Sequence, residues 1–326
     1  MPALARSMAL CAAFITGVAS LASAQPATKF PERPVRFVLP YGPGGVADVT
    51  TRLIAQKLSE SMGQNFVIEN KPGAGGILAA KSVLSSPADG YTYFLTGNAS
   101  AINQSLFKTK PHNVLVDFTP VATLAEFEML LVTKANSPLD TIDKLVAQAN
   151  AHPGKLNFGT INLGSTQHLS AEMFRSMAGV DATVVPFKGS PAVITALRAN
   201  DVQVAFEMLA PVIPQAKSGA VRILAVTSEK RHPSLPDVPT VAESGVPGYA
   251  ASSWNAIAAP AKTPPAIVER LQQETARVLA MPEVRDKLAA AGVAARASTP
   301  DELKRLLASD VAKWRRVIEQ AKIERQ

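Results

Sequence analysis

One stretch constrains the architecture more than any other. Val38-Leu39-Pro40-Tyr41-Gly42-Pro43-Gly44-Gly45-Val46-Ala47-Asp48 leads into a segment where Val49, Leu53, Ile54, Leu58 and Met62 recur at helical spacing. A short apolar strand therefore enters a turn with three glycines and leaves as an amphipathic helix packed on a sheet. Glycine admits positive φ and close approach to the backbone, and the first N–H groups of a helix carry the positive end of its dipole. Such a loop suits an anion. The spacing matches neither G-x-x-x-x-G-K-[ST] nor G-x-G-x-x-G, and no lysine follows, so a carboxylate fits better than a phosphate. Taken alone, the loop reads first as a tight strand-to-helix turn with Asp48 as cap or dipole partner, and the rest of the chain must decide for the anion site.

Other units repeat the pattern. Phe66 to Glu69 reads as a second strand, followed by the glycine turn Asn70 to Gly76 and a helix from Ile77 to Leu84. A third strand, Tyr91 to Thr96, ends at Gly97-Asn98-Ala99-Ser100. The extended runs Val121 to Leu124 and Met129 to Val132 mark a crossing to another lobe. There, Ser137 to Gln148 is expected as a helix, and Leu156 to Thr160 opens a second strand-loop-helix unit with its helix from about His168 to Met177. Val184 to Pro191 reads as strand and turn, Ala192 to Ala199 as helix, Val202 to Phe206 as strand ending at Glu207, Pro211 to Ser218 as helix, and Ile223 to Thr227 as strand. Tyr249 to Ala258 returns to the first lobe. Three proline-led helices finish the chain, the last opened by Thr299-Pro300-Asp301-Glu302, a strong N-terminal signal. The expectation is two α/β lobes joined by a two-stranded hinge, with ligands bound beyond the carboxyl ends of the strands. Lobe 1 is expected to comprise 25–126 and 250–326, and lobe 2 127–249.

The 326 residues suit two domains. Arg6, the apolar run Met8 to Leu21 and Ala22-Ser23-Ala24 read as a secretory signal peptide, residues 1–24, cleaved before Gln25; export to the periplasm follows. The single cysteine, Cys11, lies inside that signal without the small residue a lipobox needs before it, so thiol chemistry is excluded from the mature chain. The net charge of +7 steers anionic solutes to a cleft, and no nucleic-acid partner is expected of an exported protein.

These residues also resemble a known group. Phe30-Pro31, Pro34-Val35, Phe37 to Pro40, Pro43-Gly44-Gly45 with Asp48, and Glu69-Asn70-Lys71-Pro72-Gly73-Ala74-Gly75-Gly76 are similar to the tripartite tricarboxylate transporter substrate-binding proteins, the Bug family. The likeness continues through Asp89-Gly90-Tyr91-Thr92, Pro153 to Asn157, Gly164-Ser165-Thr166 with His168, Pro186-Phe187-Lys188-Gly189, Leu235 to Val241 and Ser253-Trp254. It implies a type II periplasmic binding protein fold and ligand carboxylates on the loop from Tyr41 to Asp48, closed over by loops of the other lobe. It also implies membrane transporter subunits as partners. Tyr41-Gly42, Phe187, Gln167 and Glu207 depart from the usual pattern and leave the ligand open among dicarboxylates, tricarboxylates, acidic amino acids and aromatic acids.

The expected ligand-binding set is Tyr41, Gly44, Gly45, Val46, Ala47 and Asp48 on the first loop, Asn98 and Ala99 at the third strand end, and Thr160, Ser165, Thr166, His168, Lys188, Gly189 and Glu207 on the facing lobe. Ser165 doubles as a helix N-cap, and Lys188 is placed at the rim or as a partner of Glu207. About three charge-assisted bonds at roughly 1.5–3 kcal/mol each, less docking entropy, fall short of the about 8 kcal/mol that micromolar binding needs. Both lobes must therefore contribute. No G-x-S-x-G or H-E-x-x-H occurs, so catalytic residues, metal and cofactor are expected to be none, and a monomer is expected. The alternatives are a ligand-sensing partner of a membrane sensor kinase and a hydrolase using Ser165 and His168.

Overall fold

The computed structural model describes residues 29–73, 76–110 and 112–325. The signal segment, its cleavage position, Cys11, and Ala74-Gly75 of the second glycine turn lie outside the described residues. In chain order the elements begin with β1 (Val35–Leu39), α1 (Val46–Met62), β2 (Phe66–Asn70), α2 (Ile77–Leu84), β3 (Thr92–Gly97) and α3 (Asn98–Leu106). The chain continues through β4 (Phe118–Phe127), β5 (Met129–Lys134), α4 (Ile142–Ala151), β6 (Leu156–Ile161), α5 (Thr166–Met177), β7 (Ala182–Phe187), α6 (Ser190–Ala199), β8 (Val204–Met208), α7 (Leu209–Lys217) and β9 (Val221–Val226). It returns as β10 (Ser253–Pro260), α8 (Pro265–Ala280), α9 (Pro282–Ala290), β11 (Val293–Ala295) and α10 (Pro300–Gln320).

The strands form two sheets, ordered β11-β4-β10-β3-β1-β2 and β7-β6-β8-β5-β9. The βαβ units are parallel, β1 with β2 and β3, and β6 with β7 and β8. β10 runs antiparallel to β3 and β4, and β5 antiparallel to β8 and β9. Only Glu128 separates the end of β4 in one sheet from the start of β5 in the other. The second crossing runs between β9 and β10.

Side-chain periodicity explains the layers. Along β1, Val35, Phe37 and Leu39 face the core under α1, α8 and α9, whereas Val38 faces α2, α3 and α10. Along β5, Leu130 and Val132 pack on α6 and α7 while Met129 and Leu131 face the opposite core. This is the period of two that buries a sheet on both faces. α10 carries the capping box written in its sequence: Glu302 N–H donates to Thr299 Oγ1 and the Glu302 side chain accepts from Thr299 N–H, with Pro300 in the first turn. Its buried stripe of Leu303, Leu307, Val311, Trp314 and Ile318 packs on α3 and β4 of one lobe and on α5 of the other. The lobes thus share one apolar cluster alongside the crossings.

Several boundaries differ from expectation. The helix expected over Ser137 to Gln148 starts at Ile142, capped by Thr141 Oγ1, which accepts from Lys144 N–H; the Ser137 hydroxyl instead accepts from Leu139 N–H in a local turn. The segment after Gly97 is a helix and not a loop end. Gly97 has no room for a side chain there, since a Cβ would lie 2.5 Å from the Trp254 carbonyl oxygen. β8 extends past Glu207, and α7 begins directly after it.

Candidate ligand site

In the first loop Gly44 sits at φ +80°, where a side chain is strained, and its N–H donates to Asp48 Oδ2 at 2.9 Å. The Asp48 carboxylate also accepts from Arg52 Nε at 2.9 Å and from Asn70 Nδ2 at 2.8 Å. Burial alone would raise its pKa, but the bonds from Arg52, Gly44 and Asn70 outweigh that and hold it below the usual carboxylate range. Asp48 is therefore a buried stitch between loop, helix and β2. The helix's first bond runs from Val49 N–H to Gly45 C=O, which leaves the N–H groups of Gly45, Val46 and Ala47 ahead of it. Tyr41 packs partly on the lobe core. Burial pushes its phenol up to about 12, so it is a neutral hydroxyl.

In the facing lobe Ser165 is the N-cap of α5. Its Oγ accepts from His168 N–H at 3.1 Å and donates to the Ile161 carbonyl at 2.6 Å. The His168 ring is buried, its Nδ1 has no partner among the described residues, and burial lowers its pKa to about 4. Ser165 thus bonds the backbone of His168 and not its imidazole, so the pair lacks the nucleophile-to-base contact of a hydrolase. Thr160 is fully buried beneath this loop.

At the start of α6, Gly189 (φ +94°) precedes Ser190, whose Oγ donates to Glu207 Oε2 at 2.8 Å. The expected partnership of Lys188 with Glu207 is corrected: Lys188 is exposed, and Ser190 bonds the buried carboxylate. Burial raises the Glu207 pKa to about 7, opposed by the bonds from Ser190 and Met208 N–H.

These loops meet around a cavity of about 580 Å³. Its wall takes Tyr41, Gly44, Gly45, Val46, Ala47, Ala99, Ser165, Thr166 and Gly189 from the expected set. Asp48, Asn98, Thr160, His168, Lys188 and Glu207 are not on it. The Asn98 side chain is held behind it: Nδ2 donates to Asp310 at 2.7 Å and Oδ1 accepts from Trp254 N–H at 2.8 Å. Sequence reasoning missed Phe127, Ile161, Gln167, Ser190, Pro191, Met208, Ala210, Pro211, Ser253 and Asn255. The turn Phe187 to Pro191 carried a signal for Ser190 and Pro191. The hinge residues Phe127 and Asn255 carried none and Ser253 only its place in the Ser253-Trp254 motif, because their position at the site depends on how the sheets face each other.

The wall contains first-turn residues of α1, α3, α5, α6 and α7, each the next element after a strand, and among the described residues no residue of ionisable charge other than the Tyr41 phenol. Five helix N-terminal turns therefore border one space between largely apolar side chains. That arrangement suits an anion with an apolar body. A larger hollow of about 790 Å³ along the crossings is instead lined by charged groups satisfied locally, such as Arg296 with Glu126 and Lys313 with the Ala250 carbonyl. Among the described residues no cluster of His, Cys, Asp and Glu could hold a metal, and no helix is long and apolar enough to cross a membrane.

Comparison with known proteins places this geometry in context. Residues 50–323 match the tripartite tricarboxylate transporter family receptor, TctC. Protein BugT of Bordetella pertussis is 35% identical over 315 residues, covering 96% of both chains. Among solved structures, an R. palustris protein with adipate is similar at 37% identity and TM-score 0.82, covering 90% of this chain and 99% of that one. MatC of Rhodopseudomonas palustris, with bound malate, is similar at 31% identity and TM-score 0.78, covering 89% of this chain and 100% of that one.

Proposed function

The chain belongs to the tripartite tricarboxylate transporter receptor family, and from that premise we propose that it is a periplasmic receptor that captures a small carboxylate between its lobes and delivers it to membrane transporter subunits, without covalent chemistry. One observation carries the reading: five helix N-termini line a cavity whose wall, among the described residues, has no Lys, Arg, His, Asp or Glu. An ionised carboxylate accepts hydrogen bonds from the backbone N–H groups of Gly45 to Ala47 and from Thr166 without needing a cation. Val46, Phe127, Ile161, Met208 and Pro211 cover the ligand's carbon skeleton, so an acid with an apolar body is favoured over a densely hydroxylated one. The adipate held by a similar structure has that character. The lobes are 25–126 with 250–326 and 127–249, and closure about the two crossings brings the second set of N-termini onto the ligand.

The test is native mass spectrometry of the purified mature protein followed by thermal shift against mono-, di- and tricarboxylates, acidic amino acids and aromatic acids. A ligand at 100 times its dissociation constant adds about 2.7 kcal/mol of stability. Stabilisation by one acid class without its consumption supports the receptor. Turnover of the acid, or no stabilisation by any acid, overturns it.

A further inference from the structure

Glu207 is wholly buried in β8 and sits immediately behind the wall of the candidate cavity. Its Oε2 accepts from Ser190 Oγ at 2.8 Å and from Met208 N–H at 3.1 Å, and Ser190 and Met208 themselves form part of the wall. Its Oε1 has no hydrogen-bond partner among the described residues. Among the described residues the surroundings supply no countercharge. Leu130 lies opposite on β5, whose only charged residue is Lys134 at the far end. β6 has no charged residue, and α6 and α7 carry only Arg198 and Lys217, both in their last turns. On α5, His168 is buried and neutral while Glu172 and Arg175 pair with each other. Glu128, before β5, bonds the N–H groups of Met129 and Ser228, and Lys188 is exposed ahead of α6.

While Glu207 is ionised, it holds the Ser190 hydroxyl proton, and Ser190 presents only lone pairs to the cavity. A proton on Oε2 reverses that bond: Glu207 then donates to Ser190 Oγ, and the Ser190 hydroxyl turns its own proton toward the cavity. We infer that Glu207 and Ser190 form a proton-coupled selector, in which an ionised acid enters the cavity together with one proton taken from solvent onto Glu207. The inference rests on the receptor reading above. An anion held at the neighbouring helix N-termini adds a like charge beside Glu207 and favours its protonation further. Burial already brings that carboxyl close to neutrality.

Isothermal titration of the purified protein tests this, with adipate as first probe and then any acid of the panel that binds, from about pH 6 to about pH 9 in two buffers of different ionisation enthalpy. The expected result is a dissociation constant that is flat at the acid end and weakens up to about tenfold per pH unit above about pH 7, with up to one proton taken up per ligand. Glu207→Gln is expected to abolish both the slope and the proton uptake. The proton count on the unmodified protein needs no variant, so a poorly folding variant leaves the test intact. Binding whose affinity and proton count do not vary with pH overturns the selector alone. Binding of no acid at any pH overturns the receptor reading and the selector with it.

Discussion

Asp48 accepts the Gly44 N–H at 2.9 Å, so the one acidic side chain in the glycine loop shapes the loop from behind and does not compete with an anion for its front. The same carboxylate gathers Arg52 and Asn70. Asp48→Ala leaves the Gly44 N–H and the Asn70 amide without their acceptor, at a cost of about 1–3 kcal/mol. The urea midpoint is expected to fall and ligand affinity to weaken together. Asp48→Asn, which keeps an acceptor, is expected to fall between the two.

Gly44 and Gly45 are expected to respond differently to the same substitution. Gly44→Val places a branched side chain at φ +80° and is expected to cost roughly 1–2 kcal/mol of stability as well as binding. Gly45 has φ −74°, and a Cβ there meets nothing closer than the Gly42 carbonyl at 3.9 Å. Gly45→Val is therefore expected to keep the fold, with a melting temperature near the parent's, and to abolish binding by filling the cavity. Unchanged affinity in that protein would sink the loop assignment.

Asp310 joins elements far apart in sequence. It accepts from Asn98 Nδ2 at 2.7 Å, 212 residues away, and from Trp254 Nε1 at 2.8 Å, in a buried setting beside the return crossing. Asp310→Ala strands two buried donors and is expected to destabilise the protein by about 2–4 kcal/mol, read by denaturant titration. None of its bonds involves a side chain on the cavity wall, so any change in affinity acts through the hinge.

Two buried groups in the second lobe oppose each other in their pH dependence. Glu207 has its folded pKa raised from 4.5 to about 7, so its contribution is full below the unfolded value and is lost as pH rises through 7. His168 has its folded pKa depressed from 6.5 to about 4, so its contribution is present above 6.5 and is lost as pH falls through 4. Each shift amounts to about 3 kcal/mol, and the two slopes cancel where the windows overlap. Glu207→Gln is expected to uncover a loss of stability on acidification between pH 6.5 and 4, and His168→Gln a loss on raising pH from 4.5 to 7. Denaturant midpoints at a series of pH values read both.

What the chain determined by itself is what local chemistry carries. Alternation along β1 and β5, the Thr299–Glu302 capping box and the strand-glycine-helix turns depend on residues a few positions apart, so they are legible in one dimension; of the stripe expected on α1, Ile54 and Leu58 are buried and Leu53 and Met62 partly so, but Val49 is exposed and Thr51 and Ala55 take its place in the core. The loop from Tyr41 to Ala47 was legible for the same reason, and it forms one wall of the cavity. Signals fail where the deciding partner is remote. β11 is three residues held by pairing with β4. The Asn98 side chain at the start of α3 is held between Trp254 and Asp310, 156 and 212 residues away. Glu207 is bonded by Ser190 and not by Lys188 because α6 turns the serine inward and leaves the lysine in water. Only the tertiary structure brings five helix starts from two sheets to one space, because their separation is set by the packing of the lobes around two crossings and is written in no single segment.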